Sequence, residues 1–450
     1  MPDVLLIDTL SSLRTDLGFI SPCRINAQLS GFLEQAGISF DVLCAIPRDD
    51  GEIGILRNNE IVDNSFSQLL EDLSPRVVGL FHDPELIHLA LPVAEQVRKT
   101  LPDALLCTGN SSSSAMPDAY LKLGFDYICG QDLFVSFMTV ANAILRNEAP
   151  RKGLVAVAQN QQDLDHYPFI AKKFFDCARP QWTFTDGTVL RFGIILSSLG
   201  CTGACHHCHN SGFWGTAWRP MTAERIRAEI EFQQDLLDVS TFYLGDINFL
   251  PNSNNGDGQL AVYPLAARRL KELDERLPPE IRFIVTTRPD TISLLKARDT
   301  ELLERYLRRV RICFMGVESY SSDVLSRLQR KINRQMIQDA IAILSERNIS
   351  LVASFIVGSP TETPEELQET EQFILNDLPS SAVPVLNIMT PFPGTGFHAE
   401  MQAKGLILQT DVRQYNGQHL VFRHPVYQPG ELEKRIQEFY YRFFTEKYTG

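Results

Sequence analysis

Cys201, Cys205 and Cys208 fall within eight positions, in the stretch Cys-Thr-Gly-Ala-Cys-His-His-Cys. Soft thiolates gathered this tightly favour iron and sulfur, or zinc. The number of ligands then decides what such a site can do. Three cysteines can hold three irons of a cubane and leave the fourth open for a substrate or cofactor to coordinate. The alternative is a zinc knuckle that takes His206, His207 or His209 as its fourth ligand. A closed zinc site usually draws its second ligand pair from another loop, whereas every candidate here lies in one short stretch. The other six cysteines, Cys23, Cys44, Cys107, Cys129, Cys177 and Cys313, are scattered and mostly in apolar surroundings, as small core residues are.

A loop that holds a metal centre needs a rigid support, and the flanking sequence supplies one. Apolar runs of strand length recur at 191–198, 241–249, 282–287, 311–317, 351–357 and 383–389, with helix-like segments between them. Thr222 is a candidate N-cap, with Glu224 in the first turn and Ile226 and Ile230 four residues apart. Thr363-Pro364-Glu365-Glu366 reads as a capping box with proline at the first helical position. Six βα units predict a partial (β/α)6 barrel, whose chemistry belongs at the C-terminal ends of the strands. The cysteine stretch follows the first of these strands directly.

With its other motifs in order, the sequence resembles the radical S-adenosylmethionine superfamily. The motifs are YLGDINF at 243–249, TTRPD at 286–290, GVESYSSDVL at 316–325, FIVGSPTETPEE at 355–366 and TPFPGT at 390–395, and the likeness covers about 190–425. It implies a [4Fe-4S] cluster on Cys201, Cys205 and Cys208 whose open iron binds the methionyl group of S-adenosylmethionine. One electron then cleaves the cofactor to a 5'-deoxyadenosyl radical that abstracts hydrogen from a small-molecule substrate. Asp246 and the backbone carbonyls near Gly245 are expected to accept the methionyl ammonium. Glu318 and Ser319 match the family's ribose-side motif, and Ile356 to Gly358 its adenine-side motif. The ordinary alternatives are a capping role for Asp246, an ion pair of Glu318 with Arg288, and a turn at Gly358. The residue before the last cysteine, usually aromatic in the family, is here His207. His209, Trp214, Trp218, His398 and His419 could line the pocket, with plain packing as the alternative.

Residues 1–147 carry another rhythm. Continuous apolar runs at 4–8, 40–46, 77–81, 104–109 and 126–130 alternate with helix-length stretches, which predicts a five-stranded doubly wound parallel sheet. Such a domain ahead of a radical barrel is similar to the cobalamin-binding domain of one large branch of the superfamily. The resemblance admits cobalamin as a further cofactor, and with it C-methylation of a biosynthetic intermediate by a transferase. The competing expectation is a cobalamin-free lyase that dehydrates, deoxygenates or rearranges a sugar-like metabolite, with the domain kept as scaffold. A non-catalytic zinc or cluster protein is the third reading. The branch's axial histidine is missing, since Asp8 is followed by Thr9 and Leu10. Its paired glycines are replaced by Thr108-Gly109-Asn110-Ser111, and its Gly-Glu by Gly130-Gln131. The segment at 416–425 resembles the one that closes this branch's barrel.

The expected organisation is therefore α/β. A Rossmann-type domain at 1–147 precedes a polar linker at 148–188, a barrel at 189–400, and a tail at 401–450 that ends in an aromatic-rich helix. With 42 Lys and Arg against 55 Asp and Glu, the net charge of -13 disfavours broad nucleic-acid binding. No run approaches the ~18 apolar residues of a membrane helix, and the first residues lack a signal-peptide pattern, which points to a cytoplasmic protein. Radical chemistry would also draw on a flavodoxin- or ferredoxin-type donor, or a separate reductase.

Overall fold

The structure, a computed structural model, describes the chain except residues 10–18, 21–22, 49, 58–59, 63–64, 158–162, 178, 185–186, 255–259, 329–330 and 449–450. Two compact units divide it. One comprises Met1–Leu196, Gly212–Trp214 and Glu231–Val239, and the other Ser197–Ser211, Gly215–Ile230 and Ser240–Gly450.

In the first unit the apolar runs form β1 (Val4–Thr9), β2 (Phe40–Pro47), β5 (Val77–Leu80), β6 (Leu105–Thr108) and β7 (Tyr127–Cys129). They pair in parallel in the order β2-β1-β5-β6-β7. Every residue of β1, β5 and β7 is buried, as continuous apolar strands covered on both faces must be. Helices α1 (Arg24–Gln35) and α2 (Ile87–Thr100) lie between them, the one-turn α3 (Ser111–Ala115) comes after β6, and α4 (Leu133–Leu145) follows β7.

The sheet is larger than the five strands expected. An antiparallel hairpin, β3 (Ile53–Arg57) and β4 (Glu60–Val62), extends it beyond β2, and β8 (Gly153–Val155) adds in parallel beside β7. The segment expected as a linker is thus partly built into this unit. Beyond β8 it forms a helix at Lys172–Cys177, which sets the Cys177 sulfur 2.9 Å from that of Cys44 on β2 and the Lys173 ammonium 3.4 Å from Asp41. At Phe169 its backbone packs so tightly on α1 that a Cβ at Gly31 would lie 2.1 Å from the Phe169 carbonyl oxygen.

β9 (Gly193–Ile195) is the last strand of the first unit, and in the second unit the sheet runs in chain order: β10 (Thr241–Leu244), β11 (Arg282–Thr287), β12 (Val310–Glu318), β13 (Ser350–Val357) and β14 (Val383–Ile388). Strands β10 to β14 pair in parallel throughout, the succession of βα units that the spacing predicts. Burial alternates along it. Phe283, Val285, Cys313, Met315, Ala353, Phe355 and Val357 are buried, whereas Tyr243, Phe314, Ser354, Ile356 and Asn387 are half-buried. One face is therefore packed and the other left accessible.

The helices of this part of the chain start where local chemistry says they should. Thr222 Oγ1 accepts from the Arg225 amide ahead of α5 (Ala223–Leu237). Helices α6 (Pro264–Arg276) and α7 (Pro289–Arg298) both open with proline. At α8 (Pro364–Asn376), Thr363 Oγ1 accepts from the Glu366 amide, and Glu366 Oε2 accepts from that of Thr363, a reciprocal cap that contributes about 1 kcal/mol. The chain continues through α9 (Gly396–Ala403) to α10 (Glu431–Tyr448). Helix α10 packs on α8 and β14, its Arg435 pairing with Glu371 at 2.8 Å. Its Tyr440 hydroxyl accepts the Leu386 amide at 2.8 Å, so the outermost strand does not leave that donor bare.

Candidate functional site

In the second unit the loop after Leu199 carries the three clustered cysteines, all half-buried, while Cys44, Cys107, Cys129, Cys177 and Cys313 are buried; of the scattered six, Cys23 alone is half-buried. Gly203 lies between two of the clustered sulfurs: a Cβ placed on it would be 3.6 Å from Cys201 Sγ and 3.7 Å from Cys205 Sγ. Its amide also donates to Cys201 Sγ at 3.4 Å. Burial pushes the Cys208 thiol up, opposed by the amides of Ser211 and Asn210 and reinforced by the neighbouring Cys205 and Cys201. Among the described residues no three His, Cys, Asp or Glu side chains converge on a single ion. Three thiolates on one short loop are the donor set that suits a cubane with one open iron. His206 is engaged elsewhere, its Nε2 3.0 Å from Glu400 Oε2, and the His209 ring packs edge-on against Phe392 at 5.4 Å.

A polar chain buttresses the loop. Thr202 Oγ1 donates to the Asn252 carbonyl at 2.7 Å, and Asn252 Nδ2 donates to Asp290 Oδ2 at 3.1 Å. Asp290 in turn takes the Nε and Nη2 of Arg288 at 2.9 and 2.8 Å. The remaining Nη1 of Arg288 lies 3.7 Å from the same Gly203 Cβ position that touches the two sulfurs. A cation is thus clamped beside the thiol loop. Arg288 consequently pairs with Asp290 and not, as one alternative had it, with Glu318. Its role was missed in the sequence because the TTRPD motif does not reveal which loop it faces.

Asp246 sits in a buried network of its own. It is wholly buried, and its oxygens accept from Ser197 Oγ, Ser198 Oγ and, at 2.9 Å, Arg269 Nη2. Arg269 also donates to the carbonyls of Ser197 and Phe249 and lies under the Trp218 ring at 4.7 Å. Through these donors the Asp246 carboxylate props the strand ends. Trp218, a pocket candidate, likewise belongs to this prop, since its Nε1 donates to Ser198 Oγ at 3.1 Å.

Glu318 ends β12 with φ of 69°, where the register with β13 shifts between Gly316 and Glu318. A side-chain-bearing residue held in the left-handed region costs about 1–3 kcal/mol and marks a site where geometry is imposed. Ser319 follows it, but its hydroxyl is spent on Thr370 Oγ1 and the Ser321 amide, each at 3.1 Å. Its side chain therefore braces the barrel wall. Ile356 is half-buried and pairs across the sheet with Asn387 on the accessible face. Gly358 has φ of +72°, and a Cβ there would meet Leu432 Cδ2 at 2.4 Å, so glycine is required.

The turn after Gly358 hides a group that the sequence reading passed over. Glu362 Oε2 accepts the amides of Gly358 and Ser359 at 2.5 and 3.3 Å. Burial nevertheless raises this carboxyl to about 7, and its Oε1 has no partner among the described residues. His424 ties the segment at 416–425 to the same turn, its Nε2 donating to the Ser359 carbonyl at 2.6 Å.

In the first unit, Thr9 Oγ1, His82 Nε2, Thr108 Oγ1 and the hydroxyls of Ser111, Ser112 and Ser114 are buried and lack partners among the described residues. All follow or end β1, β5 and β6, the C-terminal edge where the strand order reverses and where doubly wound sheets bind their ligands. Each buried polar group left unpaired costs about 1–3 kcal/mol, so their concentration suits a large polar ligand. Asn110 is held by the protein itself. Its Nδ2 donates to the His82 carbonyl at 3.3 Å and its Oδ1 accepts the Ser113 amide at 2.9 Å, capping α3. Gly109 is a packing glycine, since a Cβ there would lie 2.5 Å from the Cys129 carbonyl oxygen.

Comparison with known proteins adds the following. Residues 195–374 match the family model of the radical SAM superfamily. The chain is 24% identical over 348 residues to the hopanoid C-2 methylase of Rhodopseudomonas palustris strain TIE-1, covering 74% of this chain and 61% of that protein. The chain thus spans less than two thirds of that relative's length. It is 23% identical over 426 residues to an uncharacterized methyltransferase of Pyrococcus horikoshii, covering 89% of this chain and 86% of that one. The solved structure of the cobalamin-dependent S-adenosylmethionine radical enzyme OxsB, with aqua-cobalamin and S-adenosylmethionine bound, superposes with a TM-score of 0.63 at 15% identity. That match covers 99% of this chain and 67% of OxsB. At this identity the likeness concerns the fold.

Proposed function

This chain carries a radical SAM domain, and on that premise we propose that it is a cobalamin-dependent radical enzyme that methylates carbon in a small biosynthetic intermediate. The observation that carries the reading is the pairing of a half-buried three-thiol loop in one unit with an edge of unpartnered polar groups in the other. When bound, a four-iron cluster supplies the electron that splits S-adenosylmethionine, and cobalamin supplies a transferable methyl group.

The chain's own residues have these parts. Cys201, Cys205 and Cys208 hold the cluster, with the Arg288 guanidinium balancing the negative charge of the thiolates. Carbonyls around Gly245 accept the methionyl ammonium, and Asp246 keeps those strand ends in place through Arg269. Glu318 takes the ribose hydroxyls from its enforced backbone position, with Ser319 bracing it. Ile356 and Gly358 give the adenine an apolar wall and a close backbone approach. The accessible sheet face, with Tyr243, Phe314, Ser354 and Asn387, offers a substrate two aromatic rings and three polar groups, a hydroxyl on Tyr243, another on Ser354 and the Asn387 amide.

The domain's chemistry needs a reductant as well as a substrate. We assign the electron to a flavodoxin- or ferredoxin-type donor, or a dedicated reductase, in the cytoplasm. Among the described residues no helix is long and apolar enough to cross a membrane. The test is anaerobic incubation of cluster-loaded, cobalamin-loaded protein with S-adenosylmethionine, a reductant and candidate substrates. Release of both 5'-deoxyadenosine and S-adenosylhomocysteine is expected. 5'-Deoxyadenosine alone would replace methylation with dehydration or rearrangement, and neither product would overturn the enzyme reading.

A further inference from the structure

His82 sits two residues beyond the end of β5 and is 1% exposed. Its Nδ1 lies 2.8 Å from the Asp83 carbonyl oxygen, which can only accept, so Nδ1 carries the ring proton. In a neutral imidazole the other nitrogen then holds a bare lone pair, and Nε2 has no partner among the described residues. Burial pushes the ring down to about 4, which keeps it neutral at physiological pH. A buried imidazole whose Nδ1 proton is fixed on a backbone carbonyl is how proteins hold a histidine that ligates a metal through Nε2.

The position in the sheet agrees. β5 lies beside β1 at the point where the strand order reverses, and Asn26 Nδ2 bridges the two strand ends through the carbonyls of Ile7 and Phe81, each at 3.3 Å. Thr9 and Thr108 flank that point with their own unpartnered hydroxyls. The stretch after Asp8 lacks a histidine at the position where the resemblance would place an axial ligand, because Thr9 and Leu10 stand there.

We propose that His82, on the neighbouring strand, presents its Nε2 lone pair as the axial nitrogen ligand to the cobalt of a cobalamin seated at this edge. This rests on the cobalamin part of the proposed function, and the test separates the two. Purified full-length protein is loaded with hydroxocobalamin, reduced to Co(II), and examined by electron paramagnetic resonance, with and without 15N-labelled histidine. The wild type is expected to show each cobalt line split into a triplet by one nitrogen, changing to a doublet with the label. The label distinguishes a histidine from the cofactor's own dimethylbenzimidazole. His82→Gln and His82→Ala are expected to retain cobalamin but lose the splitting, and should either variant fail to fold, the labelled wild type alone decides whether a histidine ligates. Bound cobalamin with no nitrogen splitting, a triplet unmoved by the label, or a doublet that persists in His82→Gln would each overturn the inference and leave cobalamin binding intact. A wild type that retains no cobalamin would overturn both.

Discussion

The Asp246 carboxylate and the Arg269 guanidinium meet at 2.9 Å with side chains 0% and 3% exposed, joining the end of β10 to α6. Because each is stripped of water, neither tolerates loss of the other. Asp246→Ala should destabilise the second unit by about 3–5 kcal/mol, as removal of one member of a buried pair does. Chemical denaturation measures it, and a loss below about 1 kcal/mol would contradict a stabilising buried pair.

The cysteines make a sharper contrast. Replacing Cys201, Cys205 or Cys208 with Ala should lower iron per chain by roughly tenfold or more after anaerobic reconstitution, since each thiolate holds its own iron. Cys313→Ala should keep its iron, because that thiol is buried within β12. Iron and sulfide analysis of the four proteins, with near-ultraviolet dichroism to confirm folding, checks this. Equal loss in all four contradicts the assignment.

Arg288 predicts a milder effect. Arg288→Ala removes the cation beside Cys201 and Cys205 and releases Asp290, so cluster retention against a chelator should weaken by roughly 10-fold. Arg288→Lys restores charge but cannot reproduce the two-pronged contact with Asp290, and should fall between. Chelator half-times read the order directly.

Glu362 gives a pH signature. Its folded pKa, about 7, lies above the ordinary 4.5, so the folded chain binds more protons than the unfolded one between those values. Its contribution to stability is present below about 4.5 and is lost as pH rises through about 7. Glu362→Gln stays neutral throughout. The stability of the variant relative to the wild type should therefore grow as pH rises across this window and level off above it, as followed by melting at a series of pH values. A difference independent of pH would show that the carboxyl titrates normally.

How much of this was legible in the sequence follows the range of the interactions. The buried strands announce themselves as continuous apolar runs, and the Thr363 to Glu366 cap is written in four consecutive residues. The cysteine loop is equally local. The hairpin at Ile53–Val62 and the strand at Gly153–Val155 were missed because they are short edge strands whose pairing is decided by neighbours far away in the chain. The pairing of Asp246 was hidden for the same reason: its partner, Arg269, lies 23 residues on, and nothing between them signals that they meet. His82 reads as an ordinary histidine until the Asp83 carbonyl fixes its tautomer.

Metal analysis of anaerobically prepared protein, expressed with cobalamin supplied, reads both cofactors in one experiment. About four irons and about one cobalt per chain are expected. Iron without cobalt would contradict methyl transfer by cobalamin, and about one zinc with no iron after reconstitution would contradict the radical chemistry altogether.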